Sequence, residues 1–171
     1  MGDLRKTGFP DNYFDAYFSW GVLEHFEHGL GPSLSEAKRI LKPGGFIFIS
    51  VPFQNYWHIV RNLKKLWKCD INFDKELGYK EPMRFYQWRF TKTELQREFE
   101  MQGFKTLEIK PINKLHGVSR LVKTALGVDY SQKKTHAVLK RLLYPFVPRN
   151  TICHSLIGIA IKRENNVIDR G

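Results

Sequence analysis

The stretch FDAYFSWGVLEHFEHGLGPSLSEAKRILKPGGFIFISV, residues 14–51, decides the fold. Its first seven residues, Phe14 to Trp20, are short and aromatic-rich, entered from Pro10-Asp11-Asn12 and left at Gly21, as expected of a strand that follows a turn. Ser33-Leu34-Ser35-Glu36 after Pro32 has the spacing of a capping box, in which a hydroxyl and a carboxylate satisfy the free amides of a first helical turn. Leu34, Ala37, Ile40 and Leu41 then fall on one helical face, and Lys42-Pro43-Gly44-Gly45 supplies a cation, a breaker and a left-handed residue to stop the helix at Lys42. Phe46-Ile47-Phe48-Ile49-Ser50-Val51 is apolar on both faces, as a central strand covered by helices requires. Strand, helix and strand make a βαβ unit with a parallel pair of strands.

Downstream, the spacing predicts an amphipathic helix with Tyr56, Ile59, Val60, Leu63, Leu66 and Trp67 on one side and Arg61, Lys64, Lys65 and Lys68 on the other. Thr91-Lys92-Thr93-Glu94 is a second capping box, leading a helix with Leu95 and Phe99 inward and Gly103 at its end. A strand over 104–109, two short basic amphipathic helices between 114 and 144, and a closing strand over 155–162 complete the chain, with a polar tail from Arg163.

Length and composition place these elements in one domain: 171 residues, 42% hydrophobic, enough to bury a core. No apolar run approaches the length of a membrane span, and the N-terminus carries Asp3 and Arg5 where a secretory leader is apolar, so a cytoplasmic protein is expected. The two cysteines, Cys69 and Cys153, belong to no CxxC pair or spaced Cys/His set, which argues for reduced thiols and against zinc. Glu24-His25-Phe26-Glu27-His28 lacks the His-Glu-x-x-His order, so no metal is expected there either.

The net charge of +11 is unevenly placed. Residues 1–50 hold five Lys/Arg against six Asp/Glu, a balance of −1, and residues 51–171 hold 23 against 11, a balance of +12. A polyanionic small molecule, an anionic membrane surface or nucleic acid would suit that field, as would a solvated surface; nucleic acid is disfavoured because no base-reading motif accompanies the charge.

Gly2-Asp3-Leu4, Phe9-Pro10-Asp11-Asn12-Tyr13-Phe14-Asp15 and Val22-Leu23-Glu24-His25, followed by Leu41-Lys42-Pro43-Gly44-Gly45-Phe46 and Ser50-Val51-Pro52, resemble in order the class I S-adenosylmethionine-dependent methyltransferases after their third strand. The resemblance is close over residues 2–52, looser over 90–110 and 155–162. It implies an α/β fold, a partial Rossmann-like class I methyltransferase sheet (strands four to seven) with helical insertions. Residues 1–171 would then be a single incomplete methyltransferase domain, its C-terminal part, with 53–90 a lid or acceptor insertion and 111–150 a basic helical insertion.

The resemblance also implies a cofactor, S-adenosylmethionine, and site residues. Asp3 would accept a hydrogen bond from the adenine amine and Leu4 would give a backbone contact. Ser19, Trp20 and Gly21 would run along the methionine end, and Glu24 and His25 would face the methyl donor and the acceptor as catalytic candidates; a histidine is a suitable base for an acceptor hydroxyl or amine. The family's Asp/Glu-x-Gly-x-Gly cofactor loop is not found, since Gly29-Leu30-Gly31 follows the fourth strand and precedes Pro32. Two functions are therefore expected to compete. One is methyl transfer to an unidentified small-molecule acceptor, amphipathic or anionic, with the 171-residue chain binding cofactor weakly at best. The other is an incompetent half-domain that binds a partner chain along an exposed sheet edge, or makes peripheral contact with an anionic membrane.

Overall fold

The structure is a computed structural model, and it describes residues 2–61, 69–73 and 83–164. Strand β1 (Phe14–Trp20) leads through a 3-10 turn (Leu23–His25) into helix α1 (Gly31–Ile40) and strand β2 (Leu41–Pro52). After α2 (Tyr56–Arg61) come β3 (Cys69–Phe73) and β4 (Met83–Trp88), then α3 (Lys92–Met101) and β5 (Phe104–Ile112). Helices α4 (Lys114–Leu126), α5 (Lys133–Leu143) and α6 (Arg149–Ile152) precede the last strand, β6 (Ser155–Lys162).

The main sheet has the order β1-β2-β6-β5. β1 and β2 run parallel, as the βαβ reading requires, with Phe18 opposite Phe48 and Trp20 opposite Ser50. β6 enters between β2 and β5 and is antiparallel to both. β3 and β4 form a separate antiparallel pair, which the sequence reading did not anticipate. The helix expected through Trp67 is seen as α2 up to Arg61, and its remainder lies outside the described residues.

One face of the sheet is closed. Ile47, Ile49, Val51, Leu156, Ala160 and Phe104 pack in a single cluster with Leu34 and Ala37 of α1 and Leu95 and Phe99 of α3. Fully burying each such side chain contributes roughly 1.5–3 kcal/mol. Gly158 is required by this packing, because a Cβ there would sit 2.6 Å from Cε2 of Phe99 and 3.0 Å from Cδ2 of Leu95. The opposite face is open: Phe18 is 71% and Trp20 62% exposed at the sheet edge, and Phe46 is also exposed. Phe18 and Phe48 stack there with centroids 4.6 Å apart.

Two local expectations are corrected. Helix α1 begins at Gly31 with no side-chain cap and Pro32 in its first turn, so the Ser33–Glu36 capping box does not form. Glu36 instead accepts from the backbone and hydroxyl of Thr7, both at 2.7 Å, and from Nε and Nη2 of Arg39 at 2.9 and 2.7 Å. A charge-assisted cluster holding two segments together outcompetes a local cap. The helix also stops at Ile40 rather than Lys42, because Leu41 is already paired with Phe14. The second capping box forms as expected: Thr91 Oγ1 accepts from Glu94 N at 3.2 Å, and Glu94 Oε2 accepts from Thr91 N at 2.9 Å.

The terminal strand is clasped to the start of the domain. Lys162, almost fully buried, donates from Nζ to Asn12 Oδ1 at 2.7 Å and to the Leu41 carbonyl at 2.6 Å. Those two acceptors replace the water its ammonium loses, as a buried charge requires.

Candidate functional site

In an open α/β sheet, ligands bind beyond the carboxyl ends of the parallel strands. Here those ends are Trp20 and Pro52. The chain leaves β1 through Gly21, whose φ of +67° lies in the left-handed region that glycine enters most readily. Its N–H donates to the Ser50 carbonyl at 3.1 Å, so the turn stays tied to β2. A Cβ on Gly21 would find only Oε1 of Glu24 within 4 Å, at 3.6 Å.

The 3-10 turn that follows buries Leu23 and Glu24 and leaves His25 exposed. Glu24 is only 3% exposed, and its Oε2 has no hydrogen-bond partner among the described residues. Burial raises the Glu24 carboxyl above its ordinary range, opposed by its own backbone N–H and by the nearby His25. Ser19 is buried beside it in sequence, with its Oγ also without a partner among the described residues. Buried polar atoms left without partners mark places where a fold carries a cost for something other than stability.

Asp3 and Leu4 reach the same corner from the N-terminus. Leu4 packs on the core cluster. The Asp3 carboxylate accepts from the Arg5 backbone N–H at 2.9 Å and from Nε and Nη2 of Arg5 at 3.0 and 2.8 Å. The Arg5 guanidinium lies 5.3 Å from the centroid of Phe26, which brings residues 3–5 beside the turn that carries Glu24. Arg5 holds the Asp3 carboxyl below its ordinary value, so it is anionic at neutral pH. The ion pair with Arg5 was missed at the sequence level, although the residues are two apart.

Above this corner sits the short β3–β4 sheet. The Trp88 indole N–H donates to the carbonyls of Phe26 at 3.0 Å and Glu27 at 3.2 Å. The insertion begins and ends side by side, with Phe90 N donating to the Pro52 carbonyl at 3.0 Å and Gln54 N to the Phe90 carbonyl at 2.9 Å.

Two recesses open beyond the end of β2, and neither is lined by Asp3 or by Ser19 to His25. One, with room for about 240 Å³, is lined by Phe53, Gln54, Tyr56, Thr91, Lys92 and Asn150 among others. The other is small, about 20 Å³, and lies between Asn55, His58, Gly117, Arg120 and His154. Asn55 organises this region: its Nδ2 donates to the Cys153 carbonyl at 2.7 Å and its Oδ1 accepts from His58 N at 2.8 Å. Asn55 was not singled out from sequence; its place three residues after the Val51-Pro52 strand end was the available signal. The described residues contain no group of three or more His, Cys, Asp or Glu able to hold a metal.

One wall for an adenosyl cofactor would fall on Asp3 and Gly21. The Asp3 side chain is 46% exposed, but both its carboxylate oxygens accept from Arg5, so an adenine amine would have to take the place of one of those bonds. Gly21 presents bare backbone, with Glu24 Oε1 as the neighbour a Cβ would meet. The glycine-rich loop that would form the other wall is not in the sequence.

Residues 1–49 match the family described as a methyltransferase domain. The chain is 40% identical over 57 residues to the ubiquinone/menaquinone biosynthesis C-methyltransferase UbiE of Chromobacterium violaceum, a match covering 33% of this chain and 22% of that protein. Among solved structures, a SAM-dependent methyltransferase of Methanosarcina mazei superposes with a TM-score of 0.57 at 17% identity, over 94% of this chain and 65% of that one. The 1,6-didemethyltoxoflavin-N1-methyltransferase of Burkholderia thailandensis, solved with 1,6-didemethyltoxoflavin and S-adenosylhomocysteine bound, gives 0.52 at 16% identity, over 94% of this chain and 48% of that one. The chain thus spans about a fifth of the curated relative and less than two thirds of these structures. The narrower reading of a C-terminal part is not borne out by these matches. The chain has the fold seen in S-adenosylmethionine-dependent methyltransferases, and residues 1–49 are similar to the methyltransferase domain family.

Proposed function

We propose that the chain takes part in methyl transfer from S-adenosylmethionine to a small-molecule acceptor. The observation that carries this reading is the corner after β1, where Gly21 is tied to Ser50 and the next turn buries Glu24 with an oxygen left unsatisfied. A fold with no use for that carboxyl would be more stable with an apolar side chain there.

When bound, the cofactor supplies an electrophilic sulfonium methyl. Asp3 would hold the adenine amine, with Leu4 against the ring, and Ser19, Trp20 and Gly21 would flank the methionine end. Glu24, held toward its neutral form by burial, is suited to donate or accept a hydrogen bond at the reacting centre. His25, exposed beside it, can take a proton from an acceptor hydroxyl or amine. Trp88, docked on the carbonyls of Phe26 and Glu27, holds β4 beside this turn, where it would help exclude water from the acceptor. Catalysis of this kind is mainly positioning. The recess that includes Lys92 suits an anionic or amphipathic acceptor.

Saturation-transfer NMR with S-adenosylhomocysteine tests the reading on the 171-residue chain. The expected result is weak binding with transfer to the adenine protons, lost in Asp3→Ala. No transfer to the folded wild-type chain, or equal transfer in Asp3→Ala, would overturn the assignment.

The open sheet face favours a second reading. Phe18 and Trp20 lie on β1, whose outer edge pairs with no other described strand, and such an edge recruits another chain. On this reading the chain is a half-domain covered by a partner. Co-purification of a second polypeptide bound through Phe18 and Trp20, together with no cofactor contact, would favour it.

A further inference from the structure

We infer that the α4–α5 hairpin is a docking surface for an anionic phospholipid bilayer. Residues 114–149 hold eight Lys/Arg against one acidic residue, Asp129, for a balance of +7. Asp129 is already taken by Lys123 at 2.9 Å, so the field of the hairpin is cationic throughout.

The hairpin's inner face is used up by packing. Val118 and Val122 are buried, and His136 Nε2 lies 3.1 Å from the Ser119 carbonyl, joining α5 to α4. Gly117 admits the carbonyl of Ile152 so closely that a Cβ would lie 1.9 Å from it. The helices are therefore fixed to the domain, and their outer faces cannot fold inward.

Those outer faces are apolar where a soluble surface would be polar. Val138 is 57%, Leu142 60% and Phe146 82% exposed. They recur at every fourth position and make one ridge along α5 and the turn after it. Lys134 and Arg141 flank the ridge on helical spacing. At its end an open groove of about 300 Å³ lies between Leu115, Lys140, Arg141 and Tyr144, pairing two cations with apolar walls. Leu115 and Leu126, both about half exposed, add a second apolar stripe on α4.

This is the arrangement of an interfacial helix, with apolar side chains entering the acyl boundary and Lys/Arg meeting lipid phosphates. Charge near the surface contributes about 1 kcal/mol per Lys or Arg. A nucleic-acid surface would account for the cations but not for Val138, Leu142 and Phe146. Among the described residues no helix is long and apolar enough to cross a membrane, so the contact is peripheral. The hairpin adjoins the carboxyl ends of the strands through Gly117 and Arg120, which line the recess with His154. The inference goes beyond methyl transfer and stands without it.

Sedimentation of the full chain with vesicles tests it, using phosphatidylcholine alone and phosphatidylcholine with phosphatidylglycerol, at low and physiological salt. Binding is expected only to the anionic vesicles. Leu142→Ser with Phe146→Ser should weaken it by about tenfold or more, given the transfer energy of two large apolar side chains. Lys140→Gln with Arg141→Gln should weaken it too; Lys140 is half-buried and the other three residues are exposed, and the thermal melt checks that the fold is kept. Failure to sediment with anionic vesicles overturns the inference. So does binding that resists the Leu142/Phe146 change, vanishes with salt and is matched by a single-stranded oligonucleotide.

Discussion

Glu36→Gln should destabilise the protein at neutral pH and become silent in acid. The wild-type carboxylate accepts from the Thr7 amide and hydroxyl and from the Arg39 guanidinium, and Arg39 also reaches Asp11. The Arg39 and Thr7 hydrogen bonds together pull the Glu36 carboxyl from an ordinary 4.5 down to about 2. A shift of that size corresponds to roughly 3 kcal/mol at about 1.4 kcal/mol per unit. Glu36 is buried, but its partner Arg39 is 36% exposed, and solvent screening on that side reduces the expected loss to about 1.5 kcal/mol.

The depressed value fixes the pH window. Between about pH 5 and pH 2 the unfolded chain binds the proton that the folded chain refuses, so stability falls as the pH falls. Urea unfolding at pH 7, 5 and 3, with the two proteins compared at each, measures the difference directly. It should be largest at pH 7, smaller at pH 3 and gone near pH 2. A difference of constant size from pH 7 to pH 3 would refute the electrostatic account and leave only a packing change.

Glu24→Gln should behave oppositely: because burial raises the Glu24 carboxyl, the variant should match wild type below the ordinary carboxylate range and gain stability as pH rises through the raised value. Melts at pH 5 and pH 8 check this, with the gain expected at pH 8. Gly158→Ala should cost about 1–3 kcal/mol by overpacking, since the new methyl meets the Phe99 ring at 2.6 Å, and denaturant unfolding would show it. Phe18→Ser with Trp20→Ser should change stability by no more than about 0.5 kcal/mol, as exposed substitutions do, while reducing self-association in sedimentation velocity.

Where sequence and structure agree, the determinants are local. Asn12 and Gly21, both at positive φ, bracket β1 at the ends marked by turn chemistry, and Thr91 and Glu94 need only each other to start α3. Where they differ, the cause is a contact from far along the chain. Ser33 and Glu36 have the right spacing for a cap, yet Thr7 lies 29 residues away in sequence and offers a better bond. The β3–β4 pair gave no signal, because its residues sit in an aromatic and basic stretch without a hairpin turn motif. In the site, Gly21 was legible as the end of the strand, whereas Glu24 was named only through the family resemblance, with no local signal for its burial. Asn55 and the recesses beyond β2 were not, because they form only when α4 and α6 are brought to the sheet.

The position of β6 bears on how the protein is made. Among the described residues it is the last strand in sequence, yet it lies inside the sheet, between β2 and β5, and its Lys162 closes on Asn12, 150 residues earlier. Among the described strands, β5 has no sheet partner during synthesis, and β2 lacks one on that side, until β6 leaves the ribosome. Such late, non-local pairing slows folding and exposes strand edges meanwhile. A nascent chain stalled before Ser155 should therefore be a target for chaperones and proteases, and release of the last eight strand residues should be the event that commits the domain to its fold.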